Sequence, residues 1–173
     1  MRVAEFFGYL VAAVLVHVFG AHLLPAFPRL VDLFLVLVVF NGLRSGLAGA
    51  LLGGAVAGLT ADALIGGGFY GMHGFADTLT GYLTAYSAQR FVVQRTNGYL
   101  AVFIAAAFVQ QIVLLALRFV VLPAPDWHEP LWIVARALVT GFVAILLGVA
   151  KQRITGGVAI WRHRHASRLR LDQ

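Results

Sequence analysis

From Gly98 to Leu122 the chain is apolar apart from the adjacent Gln110 and Gln111 and a single Arg118. A helix that is apolar all round has to be buried in a large core or in lipid. Crossing about 30 Å of hydrocarbon takes about 20 residues at about 1.5 Å each. Five other runs approach that length: Phe6 to Leu24, Leu30 to Phe40, Ser45 to Ile65, Tyr70 to Ala88 and Leu131 to Ala150. Leu30 to Phe40 is short and needs flanking residues or burial by neighbours. Tyr70 to Ala88 is more polar, carrying His73, Asp77, Thr78, Thr80 and Thr84. Turns are expected at Pro25 and Pro28, at Gly66 to Gly68, and at Pro123 and Pro125. The runs are continuous rather than alternating, which excludes a membrane β-barrel. The expectation is an all-α integral membrane bundle of about six transmembrane helices over residues 1–150, followed by a basic amphipathic tail over 151–173.

Composition agrees with a membrane protein. The 173 residues are 61% hydrophobic and 12% charged, against roughly 45–50% and about 25% in soluble domains. There is no cysteine, so disulfides, thiolate chemistry and cysteine-ligated metals are excluded. Glu5 dilutes a positive leader and no small-residue cleavage site follows the first run, so that run is expected to stay as an anchor. With six spans both termini share a side. That side would hold Arg2, Arg44, Arg90, Arg95, Lys151, Arg153, Arg162, Arg164, Arg168 and Arg170, leaving Arg29, Arg118 and Arg136 of the thirteen basic residues elsewhere. Both termini are therefore expected in the cytoplasm. Topology accounts for the formal charge of +6, so no nucleic-acid partner is inferred.

The third run is built from small residues. Ser45, Gly49, Gly53 and Ala57 recur every four positions, and Gly46, Ala50, Gly54 and Gly58 form the neighbouring row. Lipid gives helices no hydrophobic reason to associate, so such rows serve close van der Waals packing. They could serve the bundle itself or seat a partner's helix. Asp32, Asp62 and Asp77 each lie in a different run, and a carboxylate at mid-membrane costs about 2.5–3.5 kcal/mol on insertion scales. Asp32 and Asp62 fall near run ends, at the expected level of the interface. His73 and Asp77 are four apart and could share a hydrogen bond or a proton, with Arg136 as counter-charge. A structural polar knot, a proton relay or ligand pocket, and a docking point for a partner's polar residue all remain open on these residues.

His73 and Asp77 supply too few ligands for a metal site. His17 and His22 are expected to be packed or interfacial, and Gln110 and Gln111 to bond across helices. No nucleophile with a base, no phosphate-cradling loop and no cofactor motif is present, so the expectation is not an enzyme and no cofactor. In the tail, Ile154, Val158, Trp161, His165 and Leu169 form a stripe bordered by Arg162, Arg164, Arg168 and Arg170, as in a helix lying on the lipid bilayer surface.

One stretch carries a family resemblance. PRLVDLFLVLVVF, with Pro28 and Asp32, is followed by GGAVAGLTADALIGGGFYG, with Gly54, Gly58, Asp62, Leu64 and Gly66, and then by GYL at Gly81 to Leu83. Over residues 25 to 95 this order resembles the MreD family of rod-shape-determining bacterial inner-membrane proteins, with Val31 rather than proline before Asp32. The resemblance implies a non-enzymatic scaffold of the cell-elongation machinery, acting in cell shape and side-wall peptidoglycan synthesis. It implies an MreC-like single-span partner, and RodA, a penicillin-binding transpeptidase and MreB as further partners. It also implies a fold similar to the substrate-binding subunits of energy-coupling-factor vitamin transporters. The rival function is therefore a vitamin-binding subunit, with Asp77, His73 and Arg136 lining its pocket. A small proton-coupled carrier is a third reading, without inverted repeats to support it. A homo-oligomer is compatible with all of these features.

Overall fold

The computed structural model describes residues 3–65, 69–90, 96–121, 136, 138–143 and 146. The expected turn at Gly66 to Gly68, the loop at Pro123 and Pro125, and the tail with Trp161, Arg162, Arg164, Arg168 and Arg170 lie outside the described residues. Among those described, regular structure is entirely helical: α1 Val3–Leu23, α2 Phe27–Leu30, α3 Leu33–Gly42, α4 Leu47–Ile65, α5 Met72–Arg90 and α6 Thr96–Val121. Arg136, residues 138–143 and Leu146, all within the last expected run, are helical too. Three helices, α1, α4 and α6 from Ala101, are long and apolar enough to cross a membrane. The chain reads as a helical membrane protein.

The second apolar run is not one helix. Pro28 occupies the first turn of α2, which ends after one turn with Val31 extended at φ −120° and ψ 120°. Asp32 then caps α3, its Oδ1 accepting from the Leu35 N–H at 2.9 Å. The break forms without a proline at position 31 because an aspartate at this position satisfies a helix N-terminal N–H with its own side chain. What remains, α3, has 10 residues and rises only about 15 Å, half of the hydrocarbon thickness.

Short as it is, α3 is the axis of the bundle. It packs against α1, α4, α5 and α6. Its sequence is apolar on every face up to Asn41, as a fully surrounded helix requires. Phe34, Leu35, Val38 and Val39 are all buried. Leu35, Val36 and Val39 meet Phe103, Ala106 and Ala107 of α6 on one side. Phe34, Leu37 and Val38 meet Phe6 and Leu10 of α1 and Ala57 and Ala61 of α4 on another. His17 of α1 is buried with its ring centroid 5.5 Å from that of Phe34, packed, which is one of the two states, packed or interfacial, expected of it.

The tightest pairing is α4 with α5. A Cβ built on Gly54 would lie 2.8 Å from the carbonyl carbon of Asp77 and 2.9 Å from the Cα of Thr78. One turn on, a Cβ on Gly58 would lie 2.6 Å from the carbonyl carbon of His73 and 2.7 Å from the Cα of Gly74. In the other direction, a Cβ on Gly81 would lie 2.7 Å from the Ala50 carbonyl oxygen. Backbone therefore rests on backbone at successive turns, Ala50 by Gly81, Gly54 by Asp77 and Gly58 by His73, in an antiparallel register. That register brings Arg44, just before α4, and Arg90, the last residue of α5, to the same end of the pair.

Candidate functional site

Where α3 begins, four helical segments meet and their polar groups converge. The Asp32 N–H, which the helix break leaves without an intrahelical acceptor, donates to the Thr140 hydroxyl at 3.1 Å. Asp32 Oδ2 accepts from Arg136 Nη2 at 2.8 Å and from Gln110 Nε2 at 3.1 Å. Gln110 Nε2 also donates to Asp77 Oδ1 at 2.6 Å, and Gln111 Nε2 reaches Gln110 Oε1 at 3.4 Å. Asp32, Asp77, Gln110, Gln111 and Thr140 are all buried. One glutamine amide thus joins the α3 carboxylate to the α5 carboxylate while a guanidinium neutralises the first. Non-helical backbone at membrane depth is tolerated only inside protein, where partners of this kind surround it.

These contacts revise two expectations and add one finding. Asp32 stands at a helix end, as expected, but that end is enclosed by the bundle, and the residue is 3% exposed. Arg136 is the counter-charge of Asp32 rather than of the His73 and Asp77 pair. Asp77 takes its hydrogen bond from Gln110, not from His73, and its Oδ2 has no partner among the described residues. His73 instead turns toward α4, with Nδ1 4.0 Å from Asp62 Oδ1. Gln110 bonds across helices as expected, and it does so to the two carboxylates together.

Asp62 belongs to a second, separate constellation. It lies in the last turn of α4, and its carboxylate takes three backbone N–H groups at the start of α5. These are Gly71 at 2.9 Å and Gly74 at 3.0 Å on Oδ2, and His73 at 3.1 Å on Oδ1. An anion placed there satisfies orphan donors and complements the positive end of α5. Gly71 makes the approach feasible with φ +99°, a left-handed conformation that side chains with a Cβ rarely adopt.

The small-residue rows divide in the same way. Gly53, Gly54 and Gly58 are buried by the protein's own helices. A Cβ on Gly53 would lie 3.1 Å from the Asn41 Cγ and 3.2 Å from Phe6. A partner helix can reach Gly54 and Gly58 only by displacing α5. Among the described residues, Gly46 has nothing within 4 Å of a Cβ, and Gly49 meets only Ser45. Ser45 itself donates to Asn41 Oδ1, and Asn41 Nδ2 donates to the Gly49 carbonyl at 2.9 Å, closing the turn from α3 into α4.

Sequence reasoning missed Asn41, Gly71 and Thr140. Asn41 was legible as the one polar side chain at the end of an otherwise apolar run; Thr140, a hydroxyl within another apolar run, carries no comparable signal. On α5, Thr78, Thr80 and Thr84 donate to the carbonyls one turn earlier at 2.6, 2.8 and 2.8 Å, which is how this polar helix satisfies its hydroxyls within a bundle. A groove of about 410 Å³ lies between α5 and α6. None of Asp32, His73, Asp77 or Arg136 lines it. No protein-family model, curated protein or solved structure matches this chain.

Proposed function

We propose that this chain is a non-enzymatic scaffold of the bacterial cell-elongation machinery, an MreD-like protein of the inner membrane that binds an MreC-like single-span partner. It spans the membrane about six times with both termini in the cytoplasm, in a fold similar to that of the vitamin-binding transporter subunits. One observation carries the reading. Gly54, Gly58, Asp62 and Gly81, through which the resemblance runs, sit at contacts that fix α4 against α5, and Asp32, which it also includes, ties the start of α3 to Gln110 of α6 and to Arg136 and Thr140. Residues used in this way serve shape, and a scaffold acts by presenting a fixed shape. The polar groups of Asp32, Gln110 and Arg136 are engaged with each other rather than converging on the groove, which favours the scaffold over the vitamin-binding subunit. The shared end of Arg44 and Arg90 supports a cytoplasmic assignment for that end.

The seat for a partner helix is assigned to surface other than Gly54 and Gly58, since α5 covers both. RodA, the transpeptidase and MreB are reached through the same assembly. Affinity purification of the tagged full-length chain from its own membranes tests the proposal. Recovery of a single-span MreC-like protein in defined stoichiometry is expected. Recovery of transporter ATPases with a bound vitamin, and no cell-wall protein, would establish the rival reading.

A further inference from the structure

Independent of the scaffold reading, the cluster at the head of α3 holds two carboxylates whose partners are divided unequally. Asp32 and Asp77 both accept from one nitrogen, Gln110 Nε2, at 3.1 and 2.6 Å. The two accepting oxygens are therefore no farther apart than those bonds laid end to end, the range in which one carboxylate charge opposes another. An amide nitrogen has two hydrogens, and both are spent on this pair. Asp32 also takes the Leu35 N–H on Oδ1 and the Arg136 guanidinium on Oδ2. Asp77 is fully buried, and its Oδ2 has no partner among the described residues.

Charge is divided the same way. Among the described residues, one guanidinium touches the pair, and it lies on Asp32. The other titratable groups nearby are engaged elsewhere. Asp62 of α4 is held by three backbone N–H groups, and His73, one turn before Asp77 on α5, has its Nδ1 4.0 Å from Asp62. Arg118 of α6 acts on His73, and the His17 ring of α1 packs on Phe34. None of them gives Asp77 Oδ2 a hydrogen bond. A buried anionic oxygen without a donor is costly, and an unbonded hydroxyl in the same place costs far less. One proton taken from water leaves the guanidinium with a single carboxylate to neutralise, and Oδ2 of Asp77 is the oxygen open to it.

We infer that the Asp32, Gln110, Asp77 and Arg136 cluster is a binding site for one exchangeable proton, seated on Oδ2 of Asp77 at neutral pH because two carboxylates answer to one guanidinium. Asp77 is then the carboxylic acid of the pair and Asp32 the carboxylate. Loss of the proton would set two anions against each other where α3, α5 and α6 meet. Infrared spectroscopy of the full-length protein in an ester-free detergent tests this, with an isotopic label on the aspartate side-chain carboxyl carbon. At neutral pH the unaltered chain should show the C=O stretch of one protonated aspartic acid per chain, displaced by the label. Asp77→Asn should abolish that band, and Asp62→Asn should leave it. Asp32→Asn should abolish it too, because Arg136 then has Asp77 alone to neutralise. Absence of a labelled acid band from the unaltered chain, or its persistence in Asp77→Asn, would overturn the assignment. So would its persistence in Asp32→Asn, which would show that the two carboxylates do not share one counter-charge.

Discussion

The α4–α5 seam and the cluster at the head of α3 solve one problem in opposite ways. Both hold helices together in a medium that gives apolar surfaces no reason to associate. The seam does it by removing side chains, so that at Gly54 and Gly58 one backbone rests on another. The cluster does it by adding them, so that Asp32 collects a guanidinium, an amide and a backbone N–H. The seam is thus sensitive to volume, and the cluster to the charge that Asp32 places opposite Arg136.

Substitutions that confuse the two sensitivities would break this contrast, and the largest effect is expected at the cluster. Asp32→Ala leaves Arg136 without its buried partner and uncaps α3. A loss of about 3–5 kcal/mol is expected, the cost of stranding one member of a buried ion pair, measured by reversible unfolding in mixed micelles. Gly58→Leu at the seam forces side-chain atoms into the His73 carbonyl group. A loss of about 3 kcal/mol is expected, the upper end of overpacking penalties, because backbone cannot swing aside as a side chain can. A loss below 1 kcal/mol there would mean that α5 slides freely on α4.

The remaining two sharpen the contrast. Asp62→Ala removes the acceptor of three N–H groups at the start of α5 and should cost about 2 kcal/mol, with amide exchange accelerating at Gly71, His73 and Gly74. Asp77→Asn preserves the acceptor for Gln110 and nearly the same volume, and Asp77 Oδ2 has no partner to lose among the described residues. Its unfolding free energy should stay within about 1 kcal/mol of the unaltered chain. A much larger loss would show that the Asp77 charge itself holds the cluster.

The seam was more legible in the sequence than the cluster, for a physical reason. Small residues repeated every four positions mark a close-approach face without reference to any neighbour, and the rows through Gly54 and Gly58 are where the approach occurs. Which helix would fill that face was not written in α4, because α5 contributes mainly carbonyl groups that every residue carries. In the cluster, Asp32, Asp77 and Arg136 stood out as costly polar groups, yet their pairing depended on the interior position of the α3 N-terminus. Helical spacing suggested His73 with Asp77, a local contact. The structure prefers Asp77 with Gln110 and His73 beside Asp62, contacts between helices that no single helix's periodicity encodes. The division of Leu30 to Phe40 was similarly hidden: hydropathy records that a run is apolar, whereas the break at Val31 and Asp32 depends on Thr140 and Arg136 from far along the chain.

The backbone-to-backbone seam is tested most directly by a single methyl group. Reversible unfolding of Gly58→Ala in micelles should be compared with Gly8→Ala, an exposed α1 position where a Cβ meets nothing within 4 Å among the described residues. Alanine is the better helix former by about 1 kcal/mol, so the exposed change should be neutral or stabilising. Gly58→Ala should instead destabilise, since its methyl would press on the α5 backbone. If Gly58→Ala stabilises the protein as much as Gly8→Ala does, the two helices do not touch there.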